Sequence, residues 1–443
     1  MAASIERRLE EETREALEAT QEPAETTGHN LAFDYGVWLN FRYINYHDDD
    51  KDSSLPDTVD FTRWLDSRLW FKLIIQPALD DPLQKGFSFY LRLKNIYSES
   101  RPKETAGGSD NDGTHLEYAY ATLELPRAWI TLGRNYFSVG QGIAYSNVHD
   151  GILINYFEPA WRAKLFYAHT LPHENNIDES VPGYDKGSDR HFWGIEGTYT
   201  GFTGHRLYGY TVIQRDYSDQ RPQDPAHNYS YNSEYFGLGG RGTFMQSLFS
   251  YWWEAIKETG KSTVYATGEK RDIDAWAGIF ALAYAPRIYS HPSLYFKYAF
   301  GSGDKDRSSV TDTLNGNTIG KDTNFLYFGY LPTGYALSPQ LSNLHFIKTG
   351  FTLQPLEKNA FFKKLMLGFD YYRYYKDKSA AGIYDPAATN NNSIIGDEFD
   401  ATLSWQVCSD LSFKLQYGHF IPNDAYPTGD SEDYLSISTS ITF

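Results

Sequence analysis

An all-β chain that closes into a single antiparallel transmembrane barrel is what the sequence predicts, and three observations predict it. From Leu31 to Phe443 apolar and polar residues alternate with period two. The connections between these segments are short and long in turn. The last segment, from Tyr434 through Leu435, Ile437 and Ile441, ends the chain on an aromatic, Phe443. Composition excludes the competing classes. With 41% hydrophobic, 22% charged and 17% aromatic residues in 443, the chain is too apolar for disorder. A lone Cys408 excludes an internal disulfide and a cysteine metal cluster. A formal net charge of −17 argues against a nucleic-acid partner, because phosphate binding needs a basic face. No apolar run reaches the roughly 18 residues a helical span needs.

Taken in order, residues 3–20 are rich in Ala, Glu, Arg and Leu and predict a short helix, with Ile5, Leu9, Ala16 and Leu17 as a narrow apolar stripe. Residues 21–30 are Pro/Glu/Thr-rich and read as a linker, so 1–30 form an extension and 31–443 the barrel. In the first strand Phe33, Tyr35, Val37, Leu39, Phe41 and Tyr43 share the apolar face, while Asp34, Gly36, Trp38, Asn40 and Arg42 share the polar one. Eighteen such segments are expected, sixteen being the alternative, centred near residues 37, 70, 90, 120, 131, 153, 165, 195, 210, 238, 252, 279, 297, 348, 368, 402, 415 and 438. Tight turns are expected at Pro126, Glu158-Pro159, Gly201–Gly204, Gln246 and Cys408–Asp410. Long loops are expected at 47–60, 97–114, 136–149, 170–189, 216–233, 257–272, 301–340, 376–396 and 420–432, all at the opposite end.

An apolar face of this kind meets lipid, and closure is required because an open edge in hydrocarbon leaves backbone groups unpaired. Aromatics near strand ends, among them Phe33, Tyr43, Phe71, Trp405 and Tyr417, suit interfacial girdles. The expected setting is the outer membrane of a Gram-negative bacterium. An even strand count returns both termini to one side, the periplasm.

The polar faces then line a lumen. Their basic residues include Arg42, Arg68, Lys72, Arg92, Lys94, Arg162, Lys164, Arg190, Arg206 and Arg241, with Lys297, Lys348, Lys364 and Lys414 further on. Inward acids are fewer: Asp34, Asp66, Glu124, Glu196, Glu254, Asp370, Glu398 and Asp400. An acidic chain with a basic interior favours anions through a focused field, and the late position of Asp370, Glu398 and Asp400 implies a transverse field across the lumen. Inward Trp38, Trp70, Tyr90, Tyr118, Tyr120, Tyr208 and Tyr210 fit either a sliding track for sugar rings or packing under infolded loops.

Residues 115–156 form a strand, a tight turn, a strand ending in Leu132-Gly133-Arg134, a loop, and Asp150-Gly151 opening the next strand. This block resembles the alginate-export porin family, as does Asp185–Arg190 before an aromatic strand. The resemblance implies a monomeric barrel of eighteen strands with an arginine-rich constriction that selects a polyuronate or another anionic solute. It places Arg134 and Arg68 in that constriction, Arg134 through a bulge at Gly133. The chain departs from the family in its acidic helix at 3–20 and in a short turn at Cys408–Asp410.

Other chemistry is weaker. His47–Asp52 and Ser109–Gly113 offer oxygen ligands for calcium without the spacing of a complete calcium loop, so no cofactor is expected. No serine nucleophile has a motif context, and His169, His173, His191, His205 and His345 are scattered. The expected role is a passive channel for an anionic solute, an acidic saccharide foremost, and not an enzyme. An uptake porin for small carboxylates and a plugged barrel acting as a surface-binding protein are the alternatives. Lipid, an anionic solute and a periplasmic partner at residues 3–20 are the expected contacts.

Overall fold

The structure is a computed structural model. It describes residues 31–48, 51, 61–75, 86–101, 108–111, 113–171, 189–217, 230–264, 267, 269–307, 309–311, 313 and 317–443. The predicted helix at 3–20 lies outside these residues.

The described chain is strand and turn throughout. In order the strands are β1 (Leu31–His47), β2 (Phe61–Ile75), β3 (Gly86–Arg101), β4 (Gly108–Asn111), β5 (His115–Leu125), β6 (Ala128–Ser138) and β7 (Ser146–Phe157). Next come β8 (Trp161–His169), β9 (Arg190–Tyr199), β10 (His205–Asp216), β11 (Tyr231–Phe244), β12 (Phe249–Thr263) and β13 (Lys270–Tyr284). The last six are β14 (Ser293–Gly301), β15 (Leu344–Leu353), β16 (Leu365–Lys376), β17 (Ile394–Gln406), β18 (Leu411–Pro422) and β19 (Glu432–Thr442). Both β4 and β5 pair with β3, so they are two pieces of one wall position and the wall has eighteen strands. Every neighbour pair is antiparallel, and β1 pairs with both β2 and β19, which closes the barrel. At the seam Val37 and Phe443 exchange backbone hydrogen bonds of 3.1 and 2.9 Å. All eighteen expected strand centres fall within strands.

Connections such as 126–127, 158–160, 200–204, 245–248 and 407–410 gather at one end, with both ends of the wall's chain. Two loops are no more than half as long as expected. The segment read as 136–149 spans only 139–145, and that read as 257–272 only 264–269, because β6, β7, β12 and β13 continue upward. Their buried Phe137, Ile256, Ile273 and Ala275 pack on material inside the lumen, which rewards extension of the wall beyond a minimal span.

Alternation places the core inside the ring. In β1 the even-numbered residues from Gly36 to Tyr46 are buried, while Phe33, Tyr35 and Phe41 are exposed. Leu132, Ile195, Leu238, Trp276 and Phe399 continue this exposed apolar band around the wall. The interior is filled from the long-loop end by the described residues of segment 302–343, whose Phe325, Leu326, Phe328, Leu337 and Leu341 are buried among inward wall residues.

Candidate functional site

Two infolded segments narrow the lumen, and wall carboxylates hold both. Segment 139–145 lies across the ring, where Gly140 N donates to Glu196 Oε2 at 2.9 Å and Gln141 N to Glu254 Oε2 at 2.8 Å. Tyr208 and Tyr210 also donate to Glu254, at 2.7 and 2.6 Å. These two tyrosines therefore serve packing under a loop, one of the two roles open to the inward aromatics. Gly140 has φ of +55°, and a Cβ there would come within 2.5 Å of Glu254 Oε2, so only glycine brings the backbone this close.

Segment 302–343 is held by two more acids. Glu258 accepts from Leu326 N at 3.0 Å. Glu398 accepts from the backbone N–H groups of Tyr335, Ala336 and Leu337 at 2.6, 2.8 and 3.2 Å, and from Tyr374 Oη at 3.0 Å. The two segments also pair with each other, Phe328 N donating to Ala144 O at 3.0 Å and Tyr330 N to Gly142 O at 2.9 Å. At the long-loop end Lys51 Nζ lies 2.9 Å from Asp385 and 2.8 Å from Glu432. Burial works against its charge, but the two carboxylates overcome this and hold the ammonium above its ordinary pKa.

The expected basic residues fall into three groups. Arg68 and Arg92 point inward and converge on Glu117, at 2.9 and 2.6 Å. Arg68 also reaches Asp66 at 2.7 Å and stacks over Trp38, while Arg92 stacks over Tyr118. Lys94, buried, lies opposite Arg68 in register; Arg42 is inward and buried, and Lys72 faces Asp34 across β1 and β2. This group is wall structure. Glu117 was absent from the expected inward acids because alternation from Tyr118 puts it outside. A register shift between Arg92 and Leu93 makes it the extra residue of a bulge and turns it in.

Arg190 is inward but buried beneath the long segment, 3.2 Å from Asp216 and over the Phe328 ring. Arg134 is corrected. Register runs unbroken from Leu123 opposite Ile130 to Ala119 opposite Arg134, so no bulge turns it, and it stays on the outer face with Leu132. There it makes a two-pronged contact with Asp150, at 2.9 and 3.1 Å, and donates to Leu116 O.

The third group is different. Arg162, Arg206 and Arg241 line a cavity of about 650 Å³ at the short-turn end, beneath Gln141. All three are exposed, and among the described residues none has a carboxylate within ion-pair distance. Arg206 and Arg241 are direct cross-strand partners, an arrangement that costs stability unless water or a counter-ion intervenes. Lys164 borders a connected cavity of about 230 Å³, donating to Ser138 O at 2.9 Å with Glu196 at 3.4 Å. The row of opposed residues continues from Arg241 through Trp252 and Ala281 to Lys297 and Lys348. Lys348 is bound to Asp370 at 2.9 Å. Of the late-strand acids, Asp370 is thus engaged by this lysine and Glu398 by the infolded segment rather than left to face the arginines. Lys364 lies in the turn before β16, outside the wall.

Comparison with known proteins places this geometry. The family pattern described as Alginate export matches residues 55–436. Among solved structures, Acinetobacter baumannii OccAB4 is similar with a TM-score of 0.58 at 14% identity, over 95% of this chain and 100% of that one. Pseudomonas aeruginosa OccD3 (OpdP) gives 0.56 at 13%, over 96% of each chain, and OccK7 (OpdD) gives 0.54 at 13%, over 93% and 98%. At such identities the likeness is one of fold. No curated protein matches the sequence.

Proposed function

The chain belongs to the alginate-export family, and from that premise we propose that it is a passive outer-membrane channel for anionic solutes, acidic saccharides of the polyuronate kind foremost. The exposed apolar band contacts lipid, the short-turn end faces the periplasm, and the self-closed wall works as a monomer without a cofactor. One observation carries the reading. Among the described residues, Arg162, Arg206 and Arg241 stand exposed and without carboxylate partners at the short-turn mouth of the lumen. Guanidinium groups in this state present planar forks that match carboxylates two bonds at a time, and three together focus a positive field on the narrowing under Gln141.

The test is reversal potential in a potassium chloride gradient across a planar bilayer. The native chain is expected to prefer chloride and to be blocked by oligouronates from the short-turn side. Replacing Arg162, Arg206 and Arg241 by Ser is expected to abolish both the preference and the block. An unchanged reversal potential would refute the assignment.

The segment 302–343 favours a second reading, a barrel plugged from the long-loop end whose loops bind at the surface. A silent bilayer recording would select it.

A further inference from the structure

Outside the lumen, on the outer face near the long-loop end, β8 ends on His169 and β9 opens just after Asp189. His169 and His191 are direct cross-strand partners, with ring centroids 4.5 Å apart. Both are odd-numbered, like the exposed Leu165 and Ile195 on the same strands, and so share the outward face. Asp189 Oδ1 lies 2.9 Å from His169 Nε2 and 3.2 Å from His191 Nε2, and the three ligand atoms all fall within 4.8 Å of one another. Tyr167 Oη sits 2.7 Å from His191 Nδ1, which fixes that ring with its Nε2 turned to the cluster.

We propose that His169, Asp189 and His191 bind a divalent transition metal of the zinc class. Two imidazoles and one carboxylate are a donor set that suits zinc, whose bonds of about 2.0–2.2 Å place tetrahedral ligand atoms roughly 3.3 Å apart, close to the spacing already present. Side-chain exposures of 38%, 21% and 26% leave an entry path and a fourth position open to water. The ion would join two strands where the chain leaves and re-enters the wall. Tyr167 acts as a positioning residue, holding the His191 tautomer that ligates.

The full chain, free of any histidine tag and folded in detergent, is titrated with zinc chloride against a chromophoric chelator. One zinc per chain is expected, lost in His169→Ala and His191→Ala and weakened about tenfold in Tyr167→Phe, with the heat-shifted gel mobility of the folded barrel retained. Binding that survives both histidine variants, or no zinc taken from the chelator, overturns the proposal. Cobalt(II) added to the unmodified chain needs no variant: bands of a four-coordinate ion support the site, and the spectrum of the hydrated ion alone overturns it.

Discussion

Glu117 holds together the most basic stretch of the wall, since the guanidinium groups of Arg68 and Arg92 share its carboxylate. Glu117→Ala leaves two buried cations with Asp66 as the remaining described acid at hydrogen-bond distance. Breaking a buried pair in this way costs about 3–5 kcal/mol. The expected outcome is a lower urea midpoint for unfolding from phospholipid vesicles, followed by tryptophan fluorescence; a loss below about 1 kcal/mol would show that the charges are not coupled. Strand alternation made Arg68, Arg92 and most other wall residues legible in the sequence. It failed at Glu117, where one extra residue reverses the parity; at Arg134 plain alternation was right, and the bulge implied by the family resemblance is absent because the register runs straight. The cost of an outward carboxylate was the signal available for Glu117.

At the scale of elements, the strands could be read and the infolded segments could not. Period two reports which face of a strand is apolar, whereas nothing periodic marks the direction a loop takes once it leaves the wall. Glu398 was readable as an inward acid, but its service to three successive backbone N–H groups was not. Glu258 was missed because its stretch of β12 read as loop. Gly334, with φ of +127° and only 2.7 Å from an added Cβ to Glu398 Oε1, lets the segment approach that carboxylate. Gly334→Ala and Glu398→Ala are each expected to loosen segment 302–343. Each lost backbone partner costs about 1–3 kcal/mol where it stays buried. Limited proteolysis from the long-loop side should then cut within 302–343 several times faster, and bilayer conductance should rise. Unchanged cleavage and conductance together would mean that the pairing with segment 139–145 suffices to hold it.

For the whole molecule, the division between an apolar outside and a polar inside sets the cost of moving charge across the wall. Leu238→Arg places a cation in the exposed apolar band of β11, beside inward Gly239. Its expected cost is about 2–4 kcal/mol of folding free energy in vesicles, against little change in a detergent micelle that deforms around it. Equal effects in both media would argue that the band does not meet lipid. The seam carries a further consequence, one of timing. Asn40 bonds to Ser440 across a sequence separation of 400 residues, and Phe443 exchanges backbone bonds with Val37 in the same seam. Contacts so remote in sequence form slowly. Until β19 is in place, the first strand has β2 along one edge and nothing along the other, so that bare edge must be guarded by something other than the pairing that closes the wall.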